Sequence, residues 1–182
     1  MTNMKMFLAF LVNVCFLVFS LQPVSAGETK ELELQAMQRA CENLVLDYAY
    51  YRDRPDAVEL ANLFTEDARF FFRGNTFIGR EKIRARVAAG ADGPTFRHLM
   101  STIKIFPEDA DHAHGVSYVT VYTAARASSA EFVEPEVKAP LPVENFAGIG
   151  EYHDKFVRTP DGWKISHRSY VPVFVPAIQS QE

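Results

Sequence analysis

The stretch AVELANLFTEDARFFFRGNTFIGREKIRARV, residues 57–87, decides how the chain is read. Its start continues a helix expected over 55–64. Pro55 suits the first turn of that helix, and Asp56 and Glu59 lie toward its positive end. ARFFF, residues 68–72, then reads as a short strand, because aromatic residues favour a pleated, half-buried surface. RGNT, residues 73–76, reads as a turn. GREKIRARVAAG, residues 79–90, reads as a further helix with Ile83 and Val87 inward and Gly90 as its stop.

Toward the N-terminus, Leu34, Met37, Cys41, Leu44, Tyr48 and Tyr51 recur at steps of three and four. That spacing predicts a helix over 28–52 with these residues on one face. It should stop near RDRP, since Pro55 disfavours helical geometry at Arg54. Toward the C-terminus, four segments read as strands: FRHLMSTIKIF (96–106), VSYVTVYTAAR (116–126), NFAGIGEYHDKFVR (145–158) and WKISHRSYVPVF (163–174). PEDADHAHG (107–115) is expected as a turn region and TPDG (159–162) as a hairpin turn. Pro172 suits an edge or a strand end. Helices come first and antiparallel strands after, which is an α+β order. A long curved sheet wrapped around three N-terminal helices would leave a cone with an apolar interior, which aromatic residues could line (15 Phe, 7 Tyr and 1 Trp in the whole chain).

The segment 127–144, ASSAEFVEPEVKAPLPVE, joins two of these strands and holds three prolines. A hairpin normally needs only a few residues, and loops this long are often lids or binding segments. A solvated surface loop and a dimer contact remain open beside that reading.

The chain has 182 residues. Its start carries Lys5, then the apolar run FLAFLVNVCFLVFSL (7–21), then QPVSA with Val24 and Ala26 as small residues. This is the pattern of a secretory signal, with cleavage expected after Ala26. The apolar run is shorter than the roughly 20 residues a spanning helix needs. An exported, periplasmic or secreted protein is therefore expected, with residues 27–182 as a single domain and no membrane association after cleavage. The net charge is −4, and losing Lys5 would make it −5. No long basic run is present, which argues against a nucleic-acid partner. Cys15 would leave with the signal, so Cys41 has no partner for an internal disulfide. Its place on an apolar helix face reads as a small buried hydrophobe rather than a nucleophile.

Four features could carry chemistry. Tyr48 and Asp53 lie at the end of the first helix, His98 on the first long strand, and His167 and Arg168 on the last. His112 and His114 sit in a turn beside Asp109 and Asp111. The turn histidines lack the tight spacings of structural metal sites and read as solvated, so no metal is expected. Strand alternation puts Phe96, His98, Met100 and Thr102 on one face, and Arg97, Leu99, Ser101 and Ile103 on the other. A buried imidazole needs a partner for its ring N–H, and Asp53 is a candidate. On spacing alone, a histidine on an apolar face is more often a satisfied core residue.

The order of these segments resembles the SnoaL-like group of the nuclear transport factor 2 superfamily. Leu63, Phe64, Asp67, Ala68 and Phe70 match its "LF..DA.F" step. Gly74, Gly79, Glu81 and Ile83 match the following "G...G.E.I" helix. Arg97-His98 matches the "RH" that opens a strand, and GEYHDKFVRTPDGWKISHR matches the closing hairpin. The resemblance spans about residues 32–172 and implies a cone-shaped α+β roll with a deep pocket. The group includes scytalone dehydratase, ketosteroid isomerase, polyketide cyclases and a bile-acid dehydratase.

The resemblance implies catalytic roles for Asp53 and His98, at the positions of an acid and a histidine that several relatives use. It implies substrate binding by Tyr48 and by Arg168, whose neighbour His167 would take its place after a one-residue slip. Where scytalone dehydratase carries a second histidine, this chain has Ser117 and Tyr118, which puts that specific reaction in doubt and leaves Tyr118 as the expected pocket residue. The implied activity is that of a lyase (dehydratase) or isomerase without metal or organic cofactor, acting on a hydrophobic, ring-containing carbonyl or hydroxyl compound. In a syn elimination, His98 would remove a proton α to a carbonyl while Asp53 orients the ring and Tyr48 hydrogen-bonds the enolate. The alternative is a non-catalytic binder of an apolar small molecule, since fold does not fix function. Dimers are common in the group, so a homodimer is expected.

Overall fold

Ser25 starts the first helix. In the computed structural model, which describes residues 25–125 and 143–176, its hydroxyl accepts from the Glu28 backbone N–H at 3.2 Å. The Glu28 carboxylate accepts from the Ser25 N–H at 2.8 Å, which completes a capping box. Cleavage after Ala26 would remove this cap, at a local cost of about 1 kcal/mol. Helix α1 runs Ala26–Asp53 and buries Cys41, Leu44, Val45, Tyr48 and Ala49 along one face. Residues 1–24 of the expected signal segment and residues 126–142 lie outside the described residues. Among the described residues, no helix is long and apolar enough to cross a membrane.

Helix α2, Ala57–Asn62, begins later than expected. Asp56 caps it by accepting from the Glu59 N–H at 3.0 Å, so Pro55 precedes the helix rather than opening it. Strand β1, Phe64–Phe72, starts four residues before ARFFF. The expected turn RGNT is only half turn. Arg73 and Gly74 have φ of 48° and 77°, left-handed at both central positions as a tight hairpin requires. Asn75–Ile78 then forms β2, which pairs antiparallel with β1. Helix α3 follows over Arg80–Ala88, with Ile83 and Val87 buried.

The four long strands are β3 Thr95–Pro107, β4 His112–Ala124, β5 Val143–Thr159 and β6 Gly162–Phe174. All four begin earlier than expected, β4 and β5 by the most. β4 already starts at His112, inside the expected turn region, and β5 at Val143, inside the expected loop. The sheet order is β2-β1-β6-β5-β4-β3. The class is α+β, with a curved, open sheet of six strands. Most neighbours are antiparallel as the hairpins require, but β1 lies parallel to β6. That pairing arises because α3 and four strands, β2 to β5, separate β1 from β6, so the last strand can return beside the first in the same direction. Pro172 lies beyond the last β1 pair, Phe71 with Ser169, where its missing N–H breaks no ladder on that side.

Two bulges reset which residues face inward. In β3, the pairing shifts between Ser101 and Lys104, and Thr102 has φ of 46°. Phe96, His98 and Met100 face inward as alternation predicts, but Ile103 and Ile105 then take over and Thr102 is exposed. In β6, Ile165 pairs with Phe156 and His167 with Lys155, leaving Ser166 as the extra residue. Inward parity passes from Ile165 to Arg168.

The concave face of the sheet is covered by α1, which packs on β3 and β6, while α3 packs on α2 and β1. Val45, Tyr48, Phe64, Phe70, Tyr152, Phe156 and Ile165 form the buried centre. Gly115 pairs with Ile105 beside the bulge in β3. A Cβ there would lie 2.8 Å from Ile105 Cδ1 and 2.9 Å from the Lys104 carbonyl oxygen. The backbone contact cannot be relieved by a rotamer change. Gly115→Ala is expected to destabilise the fold by about 1–3 kcal/mol, read as a lower urea midpoint at unchanged slope.

Candidate active site

Asp53 ends α1, where the negative end of the helix disfavours a carboxylate. The fold compensates by placing β3 against it. The His98 backbone N–H donates to both carboxylate oxygens, at 3.2 and 3.0 Å, and His98 Nδ1 lies 2.6 Å from Asp53 Oδ1. The two side chains are only 8% and 9% exposed. A carboxylate is acceptor-only, so Nδ1 carries the proton, and in the neutral ring Nε2 then presents its lone pair. Among the described residues, Nε2 has no hydrogen-bond partner, and His98 lines a cavity.

That cavity measures about 160 Å³. Phe72, Phe96, Val121, Ala147, Tyr152 and Tyr170 supply most of its apolar wall. Tyr48 and Arg52, four residues apart on one face of α1, reach it together, with Arg73 from the β1–β2 turn and Arg86 from α3. Asp53 is turned away from that face, so it sits behind His98 rather than in the cavity. Gly150 makes room for the wall: a Cβ there would collide with the Tyr170 ring.

Below the cavity lies a buried ion pair. Arg168 donates Nε–H to Asp154 Oδ1 at 2.7 Å and Nη2–H to Oδ2 at 2.6 Å. Its guanidinium also stacks 4.1 Å from the Tyr48 ring centroid and 4.4 Å from that of Tyr152. The two tyrosines meet edge to face at 5.4 Å. Burial pushes the Tyr152 phenol well above its ordinary range; Tyr48 adds to this, and Arg168 opposes it. Tyr152 is therefore a neutral hydrogen-bond donor at physiological pH.

The family profile of the SnoaL-like domain matches residues 35–169. The chain belongs to the SnoaL-like family. Among solved structures it is similar to a scytalone dehydratase-like protein from Novosphingobium aromaticivorans, 21% identical with a TM-score of 0.65, covering 83% of this chain and 93% of that one. An NTF2-like protein with a cystatin-like fold from the same organism is 20% identical, with a TM-score of 0.62 and coverage of 87% and 95%. Hexachlorocyclohexane dehydrochlorinase LinA-type3 from Novosphingobium barchaimii is 18% identical, with a TM-score of 0.61 and coverage of 84% and 97%. At these identities the likeness is one of fold. Comparison with curated proteins gives no match.

Of the residues singled out in the sequence, this SnoaL-like chain brings Tyr48 and His98 to the cavity wall and Asp53 directly behind. Arg168 faces inward but lies beneath Tyr48 and Tyr152, fully buried, and is not in the wall. His167 faces the other side of β6, with Nε2 3.2 Å from Ser169 Oγ and its ring against Phe71. Burial, followed by the charge of Lys155, pulls its pKa below the ordinary histidine value. Tyr118 does not reach the cavity. Ser117, Val119 and Val121 take the inward positions of β4, so Tyr118 points outward and is 42% exposed, in register with Ser101 and Glu151. His112 and His114 each pair with a nearby acid, Asp109 at 2.9 Å and Glu108 at 2.8 Å. Among the described residues, no group of three ligand side chains converges as a metal site would need. Burial pushes the Cys41 thiol up to about 12, so it is no nucleophile.

A larger groove of about 600 Å³ opens between the N-terminal half of α1 and the β3–β4 turn. Its charged residues, such as Lys30, Glu33 and Arg158, are part-exposed or exposed, and it holds no desolvated acid–base pair. The smaller cavity is therefore the candidate site. Sequence reasoning missed its three arginines and Tyr152. One signal for Tyr152 was available. Alternation along GEYHDKFV places Asp154 between Tyr152 and Phe156 on one face, and an acid there demands a buried cation on a neighbouring strand.

Proposed function

We propose that the chain is an exported, cofactor-independent lyase or isomerase that moves a proton next to a carbonyl in a ring-containing substrate. The observation that carries this reading is the 2.6 Å contact between His98 Nδ1 and Asp53, with Nε2 open to an aromatic cavity. Nε2 takes the α-proton as general base, and the electron pair passes to the carbonyl oxygen. The hydroxyls of Tyr48 and Tyr152 donate to the enolate oxygen. In a dehydration, the enolate reforms the carbonyl and expels a β-hydroxyl, which leaves as water with the proton from His98. In an isomerisation, the same proton returns at the γ-carbon. Two structural neighbours named for eliminations, a dehydratase-like protein and a dehydrochlorinase, support the same class of step.

The test uses cyclohex-3-en-1-one, a single neutral ring with an acidified α-position, in deuterated water. The protein should accelerate deuterium uptake at the α-carbon and formation of the conjugated enone, by about 10²-fold or more over buffer. Binding of the enone without exchange would support the non-catalytic reading instead and overturn this one.

A further inference from the structure

Three guanidiniums meet at the cavity, in a chain whose net charge is −4. Arg52 comes from the last turn of α1, Arg73 from the β1–β2 turn and Arg86 from α3. Among the described residues, no carboxylate forms an ion pair with any of them. Each is held by an aromatic face instead. Arg52 lies 4.8 Å from the Phe96 centroid, while Arg86 and Arg73 lie 4.4 and 5.4 Å from that of Phe72. Stacking occupies the flat face of a guanidinium and leaves its N–H edge free to bind a planar anion in a bidentate manner. Among the described residues, no acid lines the cavity, and the oxygens of Asp53 behind it are engaged by His98.

Crowding three like charges is unfavourable unless something answers it. Burial pulls the Arg86 pKa below its ordinary value, and the charges of Arg52 and Arg73 pull the same way, against Tyr48 and Tyr152. The apolar part of the cavity sets the size of the ligand. A dry cavity of about 150 Å³ holds one benzene ring, and this one measures about 160 Å³.

We infer that the cavity takes the carboxylate of a one-ring organic acid, with the ring against Phe72, Phe96 and Tyr170 and the carboxylate on Arg52, Arg73 and Arg86. The inference deepens the proposed function by naming the charged group of its substrate, and it rests on the same cavity. The ring then lies beside His98, while the anion holds it in one orientation and supplies binding energy away from the reacting carbon.

The test is calorimetric binding of benzoate, benzamide and sulfate to the full-length protein. Benzoate should bind at least roughly tenfold more tightly than its neutral isostere benzamide, as loss of one charge-assisted contact implies. Arg86→Gln and Arg52→Gln should each erase most of that preference, with circular dichroism confirming the fold. Equal affinity for benzoate and benzamide would overturn the inference, and so would sulfate binding as tightly as benzoate. The wild-type comparison needs no variant, so a misfolded substitution leaves the outcome decidable. The cyclohexenone exchange uses a neutral probe, so that reading can fail while the carboxylate preference stands, and the reverse.

Discussion

Asp154→Ala is expected to remove about 3–5 kcal/mol of stability, the usual cost of leaving one charge of a buried pair without its partner. Asp154 and Arg168 have side chains 1% and 0% exposed, joined by two short bonds. Without the carboxylate, the guanidinium would be buried with only two aromatic faces for company. A domain of this size has about 5–15 kcal/mol in total, so the urea midpoint should fall steeply. A fall of less than about 1 kcal/mol would show that water reaches the pair, because exposed pairs are worth no more than that. The complementary experiment replaces both partners, Asp154→Leu with Arg168→Met. Paired apolar replacement of a buried ion pair is often neutral or stabilising. It is more favourable here because the pair is incompletely satisfied: Arg168 Nη1 and the nearby strand residue Ser117 both bury a polar atom without a partner among the described residues. The double variant should therefore recover most of the lost stability. It should still disturb the cavity, since the guanidinium that fixes Tyr48 and Tyr152 would be gone.

This pair also shows where sequence reading stopped. The order of the main helices and long strands was legible where apolar spacing or turn residues marked them, as in α1 from Leu34 to Tyr51. The boundaries slipped where a residue suits two neighbours. Leu63 and Phe64 continue a helical pattern, yet Leu63 is the C-cap of α2 and Phe64 already starts β1, and Asn75–Ile78 is too short and polar to announce a strand. Facing was legible only up to a bulge. His98 precedes the one in β3, so alternation placed it correctly. Arg168 follows the one in β6, so alternation from Trp163 and Ile165 would have turned His167 inward. Bulges come from strand pairing across the sheet, which no local pattern records. Tyr118 failed for a different reason. It was carried over from a family position, whereas β4 alternation from Val119 puts it outside. The arginines were invisible because Arg52, Arg73 and Arg86 lie on three separate elements, each with an ordinary surface pattern. Only the closing of α1, the β1–β2 turn and α3 around one space makes them a set.

The largest catalytic effect should come from His98→Gln. Glutamine keeps a side-chain N–H that can donate to Asp53, so the buried carboxylate is not stranded, but it offers no basic nitrogen to the cavity. Proton transfer should fall by about 10²–10⁴-fold, the usual contribution of a positioned base, while the unfolding midpoint moves little. His98→Ala would blur the result. It removes the base and also deprives Asp53 of a charge-assisted bond worth about 1.5–3 kcal/mol. Asp53→Asn separates the positioning role from the chemical one. The amide can still accept from Nδ1–H, but it can equally present its NH2 group, which would put the proton on Nε2 and silence the base in part of the population. Exchange should therefore fall less than with His98→Gln. If His98→Gln retains exchange within about tenfold of the unchanged protein, the base is another group.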